Sequence, residues 1–165
     1  TSGVLLVATS RVAQEALQVL FKSRQISKTY LALVYGHPSP EEAAIESPIG
    51  RDPEDRKRMA ILAHGGRYAR TEYRVREYLT GCSLVEADLL TGRTHQLRVH
   101  FSAISHPVVG DTVYGPRRGE IAAPRQMLHA WRLRFTHPLT GVALEIIAPL
   151  PADMAEVIAA WAIKL

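Results

Sequence analysis

The sequence predicts an α+β fold with a central, mostly antiparallel or mixed β-sheet flanked by helices and loops. Three observations carry this prediction. Short apolar or alternating runs, typical of strands, are separated by turn signals. Two of these runs face each other across Thr80-Gly81, which indicates a hairpin. Helical patterns occur singly among the strands, without the regular strand–helix alternation of a parallel sheet.

The elements follow in chain order from their apolar patterns. A buried strand is predicted over Val4–Ala8, and a helix capped by Ser10 over Arg11–Ser23. Further helices are predicted over His95–Ile104, from an apolar stripe at i, i+4 and i+7, and over Ala152–Ala162. The remaining strands are short β-rich runs: Thr29–Tyr35, Tyr68–Tyr78, Ser83–Leu90, Leu128–Phe135 and Val142–Ala148.

Composition narrows the class of protein. The chain has 165 residues, of which 47% are hydrophobic and 22% charged, as in an ordinary globular domain. A net charge of +4 leans mildly toward a polyanionic partner. The single Cys82 excludes an internal disulfide and a cysteine-based zinc site, so we expect a reducing, cytoplasmic setting. No apolar run reaches the ~20 residues of a membrane span.

The start of the chain is unusual. It begins Thr1-Ser-Gly and enters an apolar run at once, whereas buried strands of natural polypeptides usually have a lead-in. We therefore expect an N-terminal part to precede Thr1 in the intact protein. Residues 1–165 would then be a single, N-terminally truncated domain.

Positive charge concentrates in the segment from Ile49 to Arg76, which we interpret as a loop followed by a half-exposed strand. Its cations are Arg51, Arg56, Lys57, Arg58, Arg67, Arg70, Arg74 and Arg76. Two interpretations remain open at this point. The loop could hold a phosphate backbone, or it could be a solvated surface in which acids and bases pair.

The stretch Thr91–His100, TGRTHQLRVH, is the richest in hydrogen-bonding side chains. Zinc is disfavoured, because His95 and His100 would lie about 140° apart on a helix. A polar helix N-terminus would explain the composition without any function. However, Arg93 precedes the predicted helix and Arg98 falls in its first turn, where the helix dipole disfavours cations unless an anion lies close by. This conflict favours a functional arginine.

Four other polar residues have simple structural interpretations. Tyr30 lies early in an apolar strand, where most tyrosines are core residues whose hydroxyl finds a partner. Asp111 is interpreted as a turn residue. Glu86 and Asp88 share one strand face among basic neighbours, so we interpret both as ion-pair partners rather than a catalytic pair.

Taken together, the chain resembles the RluA-type family of pseudouridine synthases, which isomerise uridine in ribosomal and transfer RNA. Seven collinear motifs carry the resemblance over essentially the whole chain: Thr1–Ala8, Lys28–Gly36, Gly50–Met59, Leu90–His100, His106–Gly115, Leu128–Ala130, and Phe135–Pro138 with Ala148–Pro151. The resemblance implies a pseudouridine synthase-like sheet with an RNA-binding cleft, and no need for a cofactor or metal. It also implies a catalytic aspartate in a His-Arg-Leu-Asp-x-x-Thr-Ser-Gly motif. Only the last three residues of that motif are present, so we expect residues 1–165 alone to be inactive.

The resemblance also implies roles for particular residues. Arg93 matches the arginine that pairs with the catalytic aspartate. Tyr30 matches the tyrosine that stacks on the extruded uracil, and it is a candidate for removing the C5 proton. Further residues are expected to shape the pocket or to bind RNA: His95, Gln96, Arg98, Arg51, Arg56, Lys57 and Arg58.

Two other functions stay open. One is a non-catalytic RNA-binding module on the same scaffold, which an aspartate three residues before Thr1 would argue against. The other is a metal-dependent nuclease that uses the histidines; it is poor on spacing and would lose activity to chelators.

Overall fold

A computed structural model describes residues 1–116 and 119–163 of the chain. Nine strands and three helices occur in these residues: β1 Ser2–Gly3, α1 Arg11–Lys22, β2 Ser27–Tyr35, β3 Glu42–Glu46, β4 Ile49–Arg51, β5 Met59–Ile61, β6 Arg70–Leu79, β7 Cys82–Leu89, α2 Gln96–Ala103, β8 Leu128–Thr136, β9 Ala143–Ile147 and α3 Ala152–Trp161. None of the described helices is long and apolar enough to cross a membrane.

One seven-stranded sheet dominates the molecule. Its order is β1-β8-β2-β7-β6-β3, and β9 adds to β8. Every strand pair is antiparallel except β1 with β8, which is parallel. Strands β4 and β5 form a separate two-stranded sheet. The α+β class with a mixed, mostly antiparallel sheet is therefore confirmed.

The core has two layers because both faces of β2 are covered. Ala32 and Val34 pack into a cluster that includes Phe101 of α2. Leu31 and Leu33 point to the other face, into a cluster that includes Met154 of α3. A strand buried on both faces has no polar positions to alternate with, which explains the continuous apolar run of β2.

The predicted buried strand over Val4–Ala8 is wrong. Strand β1 contains only Ser2 and Gly3, and the following residues leave the sheet, with Leu5 83% and Val7 68% exposed. The reason lies at the edge of β8. Ser2 and Gly3 pair with the start of β8, but from residue 132 onward the same edge is already paired with β9.

The other predicted elements occur with small shifts at their ends. The Ser10 hydroxyl caps α1 by accepting the Ala13 N–H at 3.2 Å, as expected from the sequence. The predicted apolar stripe of α2 is also present, since Leu97 and Phe101 are buried and Ile104 packs against the same cluster. The basic segment from Ile49, interpreted as a loop, instead contains the β4–β5 hairpin, and β3 was not predicted.

Candidate active site

A pocket of about 340 Å³ lies beside the start of α2. It gathers residues that are distant in sequence: Thr1, Tyr30, Leu89, Arg93, His95, Gln96, Leu97, Arg98, Gln126 and Leu128. Five of the residues selected from the sequence as site candidates therefore line one cavity. The basic residues 51–58 are not among the residues that line it.

The start of the chain is fixed firmly at this pocket. Ser2 hydrogen-bonds through its hydroxyl to His129 at 2.9 Å and accepts an N–H from Arg125 at 3.1 Å. Gly3 has a φ of 106°, and a Cβ at this position would overlap the carbonyl oxygen of Ala130. Only glycine fits both the conformation and the close approach to β8. These contacts hold Thr1 in the pocket wall.

Arg93 enters the pocket without an acidic partner. Its Nε donates to the carbonyl oxygen of Tyr68 at 2.8 Å, and its backbone N–H donates to Gln96 at 3.0 Å. Within residues 1–116 and 119–163, no carboxylate forms an ion pair with it. Burial, followed by repulsion from Arg67 and Arg24, lowers the pKa of Arg93. The outer edge of the guanidinium is therefore available to an anion.

Arg98, the other arginine near the start of α2, has its anion within the chain. Its Nε and Nη2 donate to the two oxygens of Asp111 at 2.6 and 2.8 Å. Asp111 also accepts the backbone N–H groups of Val113 and Tyr114. Burial alone would raise the pKa of Asp111, but Arg98 and the two N–H groups outweigh it, so the pKa is lowered. Asp111 thus closes a turn, as expected, and also neutralises Arg98.

Gln96 organises the stretch from Thr91 to Arg93. Its side-chain oxygen accepts the Thr91 hydroxyl at 2.7 Å and the Arg93 N–H, and its NH₂ donates to Arg70 and Thr71 at 2.9 and 3.0 Å. The side chain is buried and all of these bonds are internal. A phosphate contact through Gln96 would break them, so its geometry favours the pocket-shaping role.

Tyr30 is half-buried in the pocket wall, near Arg93. Burial raises the pKa of its phenol. Its hydroxyl has no hydrogen-bond partner in the described parts of the chain, whereas a core tyrosine was expected to have one. The phenol therefore keeps its proton at neutral pH and presents a flat face with an unpaired hydroxyl to the cavity.

Tyr114 joins the β4–β5 hairpin to the pocket, a role that sequence reasoning missed. Its hydroxyl lies 2.8 Å from Nδ1 of His95 and accepts the Met59 N–H at 2.9 Å. The guanidinium carbons of Arg58 and Arg98 lie 5.4 and 4.9 Å from its ring centroid. Burial and Arg98, only partly opposed by Asp111, lower the pKa of His95. The sequence signal was present, since Tyr114 belongs to the motif His106–Gly115.

The eight cations between Ile49 and Arg76 divide into two groups. Arg70, Arg74 and Arg76 pair with Glu46, Glu72 or Glu86. The others form no ion pair with an acid of the described chain: Arg51, Arg56, Lys57, Arg58 and Arg67. The interpretation as an ion-paired surface is therefore confirmed for Arg70, Arg74 and Arg76, and phosphate binding by the other five cations stays a prediction.

Glu86 and Asp88 differ in their partners. Glu86 is buried and lies between Arg74, Arg76 and Arg132 at 3.1 to 3.4 Å, which confirms the ion-pair interpretation. Asp88 instead accepts the hydroxyl of Thr29 at 2.6 Å, and no described cation pairs with it. The ion-pair interpretation of Asp88 is therefore corrected, because β2 places Thr29 directly opposite it in the ladder.

The histidines of the stretch do not converge. His100 is buried and bonds to Thr71 and Ser47 at 2.9 and 3.1 Å, while His95 faces Tyr114. In the residues that the structure describes, no group of three or more His, Cys, Asp or Glu side chains is placed to hold a metal.

Comparisons with known proteins identify the family of the chain. Residues 1–103 match the family model for RNA pseudouridylate synthase. The chain belongs to this family, so the resemblance seen in its motifs is confirmed.

Two curated relatives and one solved structure illustrate the kinship. The chain is 44% identical to ribosomal large subunit pseudouridine synthase D of Nitrosomonas europaea over 97% of this chain and 48% of that protein. It is 40% identical to the dual-specificity RNA pseudouridine synthase RluA of Escherichia coli, over 90% of this chain and 68% of that protein. The structure of human RNA pseudouridylate synthase domain containing 1 superposes with a TM-score of 0.81 at 35% identity, covering 94% of this chain and 67% of that one. The chain spans about half the length of most of the curated relatives it matches.

Proposed function

We propose that this chain is the catalytic part of an RNA pseudouridine synthase that isomerises particular uridines of structured RNA in the cytoplasm. One observation carries the proposal. Thr1, Tyr30 and Arg93 line the same pocket of about 340 Å³, and Arg93 has no acidic partner in the described residues. A carboxylate reaching this pocket from the residue three places before Thr1 would complete the constellation.

In this proposal the aspartate begins the reaction. It enables the C1′–N1 bond of the uridine to break, the uracil turns, and C1′ bonds to C5. The C5 proton is then lost and N1 gains one, so the product is an isomer of the substrate. Arg93 holds the carboxylate ionised and oriented through its outer guanidinium edge.

Tyr30 supports the base while it turns. The flat face of the ring offers a stacking surface for the extruded uracil. This contact offsets part of the few kcal/mol that it costs to unstack the base from the RNA. Because burial raises its pKa, the free phenol is protonated. We therefore assign stacking on the uracil as the first role of Tyr30. Tyr30 can remove the C5 proton only after its own phenolic proton has passed to an acceptor on the substrate or in solvent.

RNA binding is assigned to the β4–β5 hairpin and the rim of the pocket. Arg51, Arg56 and Lys57 are exposed, and Arg58 packs against the Tyr114 ring beside the pocket. Such unpaired cations gain from phosphate contacts that offset the unstacking of the target base. His95 and Arg98 shape the pocket wall rather than reach the phosphates. Ribosomal RNA is the favoured substrate, because the Nitrosomonas europaea relative is a ribosomal large subunit synthase; transfer RNA is the alternative.

The test uses the protein as its gene encodes it, with ribosomal and transfer RNA from cells that lack the gene. Wild-type protein is expected to convert one or a few uridines, mapped by sequencing of pseudouridine positions. Arg93→Ala should lower turnover by more than about 100-fold and leave RNA affinity close to that of wild type. Arg11→Ala is the matched control, since Arg11 is an exposed arginine on α1. Near-normal turnover by Arg93→Ala would contradict the role of Arg93.

A non-catalytic RNA-binding module remains the second candidate. The unpaired cations of the hairpin favour it, because RNA binding alone needs no carboxylate. Both functions predict that double charge reversal, Arg56→Glu with Arg58→Glu, weakens RNA binding and flattens its salt dependence. Only the enzyme predicts conversion of uridine, so binding without any new pseudouridine would establish the module.

A further inference from the structure

Tyr68 lies outside the pocket, in a surface that the catalytic proposal does not use. Its side chain is 45% exposed, which is high for a large aromatic residue. The guanidinium carbon of Arg24 lies 6.0 Å from the centre of its ring. Its carbonyl oxygen accepts the Nε of Arg93, so one arginine side chain connects Tyr68 to the pocket wall.

Two further cations lie close to Arg24 or Arg93: Lys28 lines the same cavity as Arg24, and Arg67 directly precedes Tyr68. Burial and repulsion from Arg24 and Arg93 lower the pKa of Lys28. Arg67 precedes Tyr68, and its charge acts in the same way on Arg93. Arg24, Lys28 and Arg67 form no ion pair with any acid among residues 1–116 and 119–163. Like charges in proximity destabilise the free protein, and a bound anion relieves this repulsion.

The backbone holds Arg24 in an unusual conformation. Its φ is 60°, a region that favours glycine at the end of a helix, and Gln25 donates its N–H back to Leu20 at 2.9 Å. A cation at the C-terminus of α1 also benefits from the helix dipole, which would explain a positive charge there without any ligand. The dipole does not explain the exposed ring beneath Arg24, nor the two further cations beside it.

A second cavity continues from this surface. It has a volume of about 750 Å³ and is lined by Arg24 and Lys28 together with the ends of β7, β8 and β9. Two acids line it: Glu145 pairs with Arg134, whereas Asp88 accepts the Thr29 hydroxyl and keeps its charge. The three cations of the lining, Arg24, Lys28 and Arg134, outnumber these two acids. A polyanionic strand therefore has room to continue past Arg24 and Lys28.

We propose that Tyr68, Arg24, Lys28 and Arg67, named here the Tyr68 platform, bind the nucleotide next to the extruded uridine. The Tyr68 ring stacks on an unpaired base, and the three cations hold the phosphates on either side of it. Stacking on an aromatic ring combined with a cationic groove is how proteins bind single-stranded RNA without reading its sequence. The inference rests on the proposed function, because it takes the pocket beside Arg93 as the place of the target uridine.

The experiment measures equilibrium binding of two labelled probes to the protein as its gene encodes it. One probe is a ten-nucleotide oligouridylate, and the other is a sugar-phosphate strand of the same length without bases. Tyr68→Ala should weaken oligouridylate binding about 5- to 100-fold and leave the abasic strand unaffected. Tyr68→Phe should bind like wild type, because the ring is retained.

The cations should behave differently from the ring. Arg24→Ala, Lys28→Ala and Arg67→Ala should each weaken both probes, and each should reduce the slope of log affinity against log salt by about 0.7. Tyr78→Ala is the matched control, since Tyr78 is a half-buried tyrosine of β6 whose hydroxyl bonds to Glu41 rather than lying beside these cations. Thermal unfolding of each variant identifies any loss of folding, and Tyr68→Leu, which keeps apolar bulk without a ring, tests the ring if the alanine variant is unstable.

The outcomes separate this proposal from the catalytic one. Wild-type affinity of Tyr68→Ala for oligouridylate, or equal losses for both probes, overturns the platform whatever the turnover. Base-dependent loss in a protein that never converts uridine would support the platform and overturn the enzyme.

Discussion

The bidentate pair between Arg98 and Asp111 should be the most costly single ion pair to break. The two side chains are only 12% and 0% exposed, so removal of one charge leaves the other buried without a partner. Losses of this kind cost about 3–5 kcal/mol. Asp111→Asn keeps the size of the side chain and one oxygen for the N–H groups of Val113 and Tyr114. We therefore expect a loss of unfolding free energy at the lower end of this range, about 3 kcal/mol. A loss of this size lowers the melting temperature of a domain of about 165 residues by about 6–12 °C.

The assay is urea unfolding at pH 7, with Glu145→Gln as the matched control. Glu145 pairs with Arg134 at 2.6 Å, but these side chains are 44% and 51% exposed. An exposed pair contributes at most about 1 kcal/mol, so the same change from carboxylate to amide should have a small effect there. Equal losses for Asp111→Asn and Glu145→Gln would refute the reasoning from burial.

The same pair predicts a pH dependence with a definite sign. The pKa of Asp111 is lowered in the folded protein. Its charge therefore stabilises the fold above the unfolded-state pKa of about 3.9, and this stabilisation is lost as pH falls through the folded-state pKa. The gap in unfolding free energy between wild type and Asp111→Asn should therefore narrow below about pH 4. A gap that stayed constant down to pH 2 would mean that the charge of Asp111 contributes nothing.

Three further changes test other parts of the fold. Gly3→Ala forces a Cβ onto the Ala130 carbonyl at a φ of 106°, so urea unfolding should show a loss of about 1–3 kcal/mol or more, and a variant as stable as wild type would contradict the close approach. Tyr114→Phe leaves the Met59 N–H without its acceptor and should cost about 1–3 kcal/mol in the same assay; no change would mean that water replaces the hydroxyl. Burial raises the pKa of Cys82 to about 11, so a thiol reagent at pH 8 should react only after denaturant is added, and rapid labelling of native protein would be inconsistent with this burial.

Local patterns in the sequence were sufficient for most of the elements but not for the sheet edges. The alternation along β6 and the apolar stripe of α2 are properties of neighbouring residues, so both were predictable. Val4–Ala8 has the composition of a strand, yet whether it pairs depends on what occupies the edge of β8. Competition for an edge is decided by the whole fold, and no local pattern records it.

The same limit applies within the candidate site. Arg93 and Arg98 both lie near the N-terminus of α2, where the helix dipole disfavours cations. The sequence alone gives no reason to treat the two arginines differently. Only the folded chain reveals that Asp111 neutralises Arg98 and that no described acid reaches Arg93. Tyr114 was overlooked for a related reason, since a hydroxyl that joins His95 to Met59 acts across three separate segments.

The pairing of β1 with β8 has a consequence for synthesis of the protein. Ser2 pairs with His129 and Gly3 with Ala130, so this contact joins segments almost a full domain apart in sequence. Contacts of such high sequence separation require a large loop to close and form slowly. On the ribosome, the β4–β5 segment is synthesised long before residue 130, but the wall that holds Thr1 forms only after it. The cations of residues 51–58 are therefore present in the nascent chain well before the pocket wall that holds Thr1 can be assembled.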